Sequence, residues 1–144
     1  MTVNQMLISL YAGNYDKDKK VFGSNIGGWE TSEYPVYRVS KEKIRKCQLT
    51  PEFHTDNSLV DVVVLFELYS SKYDSEKYIT AGELVEYLES VKGELPVGVM
   101  TDLGFQGNGY FCEVLHIGNA NDIEVVKNVA ARKCYGENIF RIYY

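Results

Sequence analysis

The segment SLVDVVVLFELY, residues 58–69, constrains the fold of this chain more than any other stretch. Val, Leu and Phe follow one another almost without interruption, and a short apolar run rich in β-branched residues favours a strand. One face is predicted to be entirely apolar, with Val60, Val62, Val64, Phe66 and Leu68. The other face includes Asp61 and Glu67, so we expect one side to be core and the other to be only partly covered.

The remaining segments alternate between strand and helix patterns. Further strands are predicted over 4–12, 34–40, 95–100, 110–117 and 138–144, and helices over 41–47, 80–93 and 121–134. Thr80 and Glu83 form a capping box at the start of the second helix. The order predicts an α+β fold in which residues 1–144 form a single domain, with a mixed, mostly antiparallel sheet and about three helices packed on one face.

The cysteines indicate the compartment. Cys47, Cys112 and Cys134 are odd in number and no two form a CxxC pair, which argues against a disulfide framework or a thiolate zinc site. A reducing, cytoplasmic location is therefore expected. The N-terminal apolar run is short and follows no basic residue, so it is not predicted to be a signal peptide, and no run reaches the length of a membrane span. No cofactor is expected.

The net charge of −5 is unevenly distributed along the chain. Residues 1–51 hold eight bases and five acids, whereas residues 52–102 hold three bases and eleven acids. Overall acidity argues against general nucleic-acid binding. The acidic middle third either faces a basic partner or is simply solvated.

Two glycine-rich stretches are candidate ligand loops. GFQGNGYF, residues 104–111, is followed by a strand pattern and not by the helix that a phosphate loop requires, and Asn108-Gly109 is typical of a hairpin turn. The tip of that hairpin, with Asn108 and Tyr110, remains a candidate contact site. GSNIGGW, residues 23–29, is either a flexible loop or a recognition loop in which Trp29 is an aromatic anchor.

A basic cluster is the sharpest local charge feature of the sequence. It comprises Arg38, Lys41, Lys43, Arg45 and Lys46, interrupted only by Glu42. Arg38, Lys43 and Arg45 are candidate ligands for nucleotide phosphates, with Trp29 or Tyr110 stacked on the base. The alternative is a solvated helix face that complements the acidic middle third.

Catalytic residues are sparse. Cys112 and His116 would lie about 13 Å apart along one strand, too far for a nucleophile and its base. Cys112 with His54 requires the fold to bring the two together. Asp61 or Glu67, if buried, would have a raised pKa and could act in acid–base chemistry; otherwise each lies on a solvated sheet face. No set of His, Cys and carboxylate residues has the spacing of a metal site.

Residues 79–100, ITAGELVEYLESVKGELPVGVM, combine a capped helix with a strand preceded by proline. This segment resembles small accessory proteins of phages and other mobile elements. The resemblance rests on Thr80, Glu83, Leu84, Leu88, Leu95 and Pro96. It implies an accessory protein, of the kind that blocks host factors or sequesters a small nucleotide signal.

The function predicted from these observations is that of a non-catalytic binding protein that inhibits or regulates a host partner, and the resemblance implies an anti-defence accessory protein of the phage type. Glu83, Glu86 and Glu89, on the outer face of the second helix, are the candidate partner-binding residues. A homo-oligomer is also predicted, because the apolar C-terminal strand NIFRIYY could form an exposed edge. The alternatives are a nucleotide or cyclic-nucleotide binder and a small enzyme using Cys112 or a buried carboxylate.

Overall fold

The computed structural model describes residues 1–25, 33–49, 52, 54–68, 78–102, 111–118 and 139–144. Two helices lie in these ranges, α1 (Val3–Ala12) and α2 (Ala81–Glu89). The strands are β1 (Lys20–Ser24), β2 (Glu33–Arg45), β3 (Leu59–Leu68), β4 (Val97–Asp102), β5 (Cys112–Glu113), β6 (His116–Gly118) and β7 (Ile139–Tyr143). A short 3-10 helix, Lys46–Gln48, follows β2.

The strands form one mixed sheet in the order β5-β4-β3-β2-β1-β7-β6. The β3–β4 and β1–β7 pairs are parallel, and the other four neighbouring pairs are antiparallel. This arrangement confirms the α+β class and the mixed sheet. The described residues contain two α-helices and not three, and the helix predicted over 121–134 lies outside them.

The sheet curls back on itself through residues 112–118. Only Val114 and Leu115 separate β5 from β6, which stand at opposite ends of the strand order. The backbone N–H of Val114 donates to the carbonyl of Val97 (3.1 Å), and that of Leu115 donates to the carbonyl of Tyr143 (2.9 Å). The strand predicted over 110–117 is therefore two short strands that pair with β4 on one side and with β7 on the other.

Helix α1 replaces the strand predicted over 4–12, and that prediction was wrong. Thr2 and Gln5 form a capping box in which each side chain accepts the other residue's backbone N–H. Val3, Met6 and Leu10 recur at helical spacing and are buried. The segment also contains only one β-branched residue after Val3, so nothing in its side chains opposes a helix.

The helix predicted over 41–47 was also wrong, because β2 continues to Arg45. Every residue from Arg38 to Arg45 pairs with a residue of β3 in antiparallel register. Ile44 is the only large apolar side chain between 41 and 46, so the segment lacks the apolar stripe that a helix packs on. Pairing with the strongly predicted strand β3 therefore decides its conformation.

Both faces of β3 are covered. The first core cluster contains Val63 and Leu65 together with side chains of both helices and of β1, β4, β6 and β7. The second core cluster is smaller and contains Ile44, Val62, Val64 and Phe111. The larger core thus packs on the face that includes Glu67, the reverse of the predicted preference.

The C-terminal strand β7 lies inside the sheet. It pairs in parallel with β1 and antiparallel with β6, and Ile139–Tyr143 are all buried. This strand therefore presents no exposed edge of the kind on which the predicted homo-oligomer depended.

Candidate functional site

The acidic side chains of α2 point away from the first core cluster. Ala81, Leu84, Val85 and Leu88 are buried, whereas Glu83, Glu86 and Glu89 are exposed at intervals of three residues. Glu83 closes the predicted capping box, since its carboxylate accepts the backbone N–H of Thr80 at 2.9 Å. Glu83 therefore has a structural role in the cap, whereas Glu86 and Glu89 are exposed acids of α2 outside that cap.

Helix α1 contributes apolar side chains to the same surface. The phenol of Tyr11 donates a hydrogen bond to the Glu89 carboxylate, and this bond, followed by burial, raises the pKa of Tyr11. Tyr11 is 56% exposed, and Ile8, one helical turn earlier, is 67% exposed. We call Ile8, Tyr11, Glu86 and Glu89 the two-helix face.

The two-helix face combines apolar and acidic groups without any base. Neither Val3–Ala12 nor Ala81–Glu89 contains a Lys, Arg or His. Exposed Ile and Tyr side chains on one helix and exposed carboxylates on the next are a combination that a partner with basic and apolar groups would complement.

Ile8 and Tyr11 were not predicted as functional residues. Read as a strand, residues 4–12 place Ile8 on the same side as Met6 and Leu10, which are core residues. Read as a helix after the Thr2–Gln5 capping box, the same residues place Ile8 and Tyr11 opposite that stripe. The capping box was the signal in the sequence that could have identified them.

The basic cluster lies along β2, with Lys46 at the start of the 3-10 helix that follows, and its members do not converge. The Arg38 guanidinium carbon lies 3.9 Å from the ring centroid of Phe66, which packs on the second core cluster. Lys43 pairs instead with Asp61 of β3. Asp61 lies on the same face of the sheet as Val63, which belongs to the first core cluster. Arg45 has the same parity as Lys43, so the three predicted phosphate ligands divide between opposite faces of the sheet.

Asp61 neutralises part of the basic cluster. Its carboxylate lies 2.9 Å from the Lys43 ammonium and 3.9 Å from that of Lys41. The hydrogen bond from Lys43, together with the lysine charges, lowers the pKa of Asp61. Asp61 is therefore an ionised surface acid and not a general acid.

Glu67 is the buried carboxyl that sequence analysis considered as a candidate for acid–base chemistry. Its side chain is 0% exposed, and burial raises its pKa to about 8. The phenol of Tyr144 donates to Oε2 at 2.8 Å, which opposes part of that rise. Oε1 makes no hydrogen bond within the described part of the chain. Since no part of Glu67 is exposed, this carboxyl is out of reach of a substrate in this structure.

Cys112 lacks the environment of a reactive thiol. It is half-buried in β5, and burial, with a smaller effect of the Glu67 charge, raises its pKa. A raised pKa leaves less thiolate at neutral pH, which disfavours nucleophilic attack. His116 is exposed in β6 with its ring 5.8 Å from that of Tyr143, and His54 lies in an exposed turn.

Other predicted positions lie outside the described residues. Trp29, Asn108 and Tyr110 are among them, as is the 104–109 turn. Within the described ranges, no group of three or more His, Cys, Asp or Glu side chains is placed to hold a metal ion. In the same ranges, no helix is long and apolar enough to cross a membrane.

Comparison with family models, with curated proteins and with solved structures gives no match to this chain.

Proposed function

We propose that this chain is a non-catalytic binding protein that inhibits or regulates a partner protein by occupying part of the partner's surface. The observation that carries the proposal is the two-helix face, where Tyr11 of α1 bonds to Glu89 of α2, and Ile8 and Glu86 are exposed one turn earlier on the same two helices. Large apolar side chains surrounded by polar groups mark protein interaction sites more often than they mark chemistry.

The electrostatics of the two-helix face indicate the class of partner. Both helices lack basic residues, so the face attracts a surface that combines Lys or Arg with apolar side chains. The apolar pair would supply contact area, and the carboxylates would supply orientation and association rate.

The source of the partner is proposed from the resemblance of residues 79–100 to accessory proteins of phages and mobile elements. Those residues include α2, which contributes the two acids of the two-helix face. On this basis the partner is a host factor, and its inhibition would serve an anti-defence role.

The test is quantitative capture from host lysate with two matched variants. The face variant carries Ile8→Ser and Glu86→Lys. The control variant carries Leu59→Ser and Glu52→Lys, which change an equally exposed apolar residue and an exposed acid away from both helices. As a control, thermal unfolding of wild type and of both variants should show a cooperative transition for each protein.

We expect a protein that wild type and the control variant enrich equally and that the face variant enriches about tenfold less, because central contacts dominate binding energy. Equal enrichment by wild type and the face variant would exclude the two-helix face as the binding surface.

A further inference from the structure

The backbone of β2 has an outward side. In an antiparallel pair, the N–H and C=O of one residue point to the same side, and this side alternates along the strand. The N–H of Lys46 donates to the carbonyl of Ser58 at 2.8 Å, on the β3 side. Counting back by twos, Arg38, Ser40, Glu42 and Ile44 face β3, whereas Val39, Lys41 and Lys43 face away.

The alternation in β3 agrees with this assignment. The N–H of Val63 donates to the carbonyl of Pro96, on the β4 side. Residues of even number in β3 therefore face β2, and the register pairs them with the even residues of β2, such as Val64 with Ser40.

Within the described residues, the outward side of Val39, Lys41 and Lys43 is a strand edge that no other strand pairs with. β1 pairs with β2 only at Glu33–Pro35, before this stretch begins. Among the residues that the structure describes, no backbone or side-chain group bonds to the outward N–H or C=O of these three residues.

Both ends of the edge are closed by other groups. At one end, the N–H of Ile79 donates to the carbonyl of Val36 at 2.8 Å. At the other, the side-chain oxygen of Gln48 accepts the N–H of Arg45 at 3.1 Å. The opening between them presents the three residues at intervals of two, which is the pattern that an added strand uses.

The charge around the opening selects its occupant. Arg38, Lys41, Lys43 and Arg45 are exposed along this stretch. Arg38 pairs with Glu42, and Lys41 and Lys43 pair with Asp61. Lysines on an edge oppose pairing with a second copy, because like charges would meet. An extended segment with acidic side chains meets no such opposition.

We propose that the outward edge of β2 from Val39 to Lys43 is a binding site for an extended, acidic segment of a partner protein, which adds to the sheet as a further strand. The site is separate from the two-helix face, and it stands independently of the proposed function. Main-chain hydrogen bonds to the three outward residues hold the segment, and the surrounding bases select its charge.

The test uses a fluorescent seven-residue peptide of alternating glutamate and valine, with blocked ends, in an anisotropy titration of the full chain. The matched control peptide has the same side chains and N-methyl groups at alternate positions, so that it keeps its charge but loses its donors. Two variants distinguish the contribution of the backbone to peptide binding from that of charge. Lys41→Pro removes the outward N–H and the charge, whereas Lys41→Gln removes the charge alone.

We expect the unmodified peptide to bind and the methylated peptide to bind at least tenfold more weakly. Lys41→Pro should weaken binding at least tenfold, against roughly twofold to threefold for Lys41→Gln. Exchange of the Val39, Lys41 and Lys43 amide protons should slow when the peptide is bound. The face variant should bind the peptide as wild type does.

Three results would overturn the proposal. These are equal binding of the methylated peptide, unchanged exchange at the three amides in the complex, and absence of binding at millimolar peptide. Thermal unfolding of Lys41→Pro establishes whether this variant is folded. If it is not folded, binding of the methylated peptide and amide exchange in the wild-type protein test the proposal instead.

Discussion

Burial of the Glu67 carboxyl in the folded protein disfavours its charged form, because its surroundings hold few polar groups that could stabilise the anion. Burial raises its pKa from the ordinary 4.5 to about 8, while the single hydrogen bond from Tyr144 opposes the rise only in part. The half-buried Cys112 thiol and the Tyr144 phenol are the titratable groups that the structure places near it. Ionisation of Glu67 would therefore place an unpaired negative charge on the side of β3 that packs against the first core cluster, at a cost in folding stability.

Replacing Glu67 by Gln should make folding stability less sensitive to pH. The folded state holds the proton more tightly than the unfolded state, so stability is greatest below about pH 4.5 and falls as the pH rises to about 8. The wild-type protein should lose roughly 3–5 kcal/mol more than Glu67→Gln between pH 5 and pH 9. Denaturant unfolding of both proteins at the two pH values measures this difference. Parallel pH dependences would show that Glu67 ionises normally.

Gly23 and Glu67 should be coupled energetically. A Cβ at position 23 would overlap Oε1 of Glu67, so the buried side chain would have to move. Gly23→Ala should therefore destabilise the protein by about 1–3 kcal/mol. In a Glu67→Ala background the same change should cost at least about 1 kcal/mol less, because the obstructing carboxyl is gone. A double-mutant cycle by chemical denaturation measures the coupling, and additive effects would contradict the close approach.

At the scale of elements, the orientation of each β2 residue decides which substitutions it tolerates. Proline at an outward position removes no bond of the β2–β3 ladder, whereas proline at an inward position does. Lys41→Pro should therefore cost about 1 kcal/mol or less, and Glu42→Pro about 3 kcal/mol or more. Thermal unfolding of the two variants makes the comparison. Equal destabilisation would mean that the N–H of Lys41 does not point away from β3 while the N–H of Glu42 points toward it.

Periodicity predicted the elements whose packing is decided locally. The apolar run of β3, the Thr80–Glu83 box of α2 and the terminal strand β7 all carry their own signal, and the structure confirms them. Residues 4–12 fit both periods, since Met6 and Leu10 satisfy either, and only the Thr2 cap distinguishes them. Residues 41–45 depend on pairing with β3, a contact that local sequence does not encode.

The candidate site was predictable in part for the same reason. Glu86 and Glu89 follow from the amphipathic pattern of α2, and the structure places them on its exposed side. Tyr11, which bonds to Glu89, and Ile8 come from α1, far away in sequence, and the packing of α1 against α2 brings Tyr11 there. Glu67 was recognised as a candidate buried acid, but its full burial depends on the close approach of Gly23 from β1.

At the scale of the whole molecule, charge is separated between two surfaces. Helix α2 carries acids and no base, helix α1 carries no charged side chain, and the exposed stretch of β2 carries four bases from Arg38 to Arg45 against Glu42. The curled sheet places β7 in its interior, so the predicted homo-oligomer, which stays a prediction, cannot form through that strand. The separation favours two different partners, one basic and one acidic, and binding at each surface should weaken as salt is added.

The most direct test of the binding role is a hydrogen–deuterium exchange footprint of the chain in complex with the protein it captures from host lysate. A partner seated on the two-helix face should slow exchange in Asn4–Ala12 and in Glu83–Ser90, and leave β3 and β4 unchanged. Protection that falls elsewhere, with both helices exchanging as in the free chain, would contradict the account.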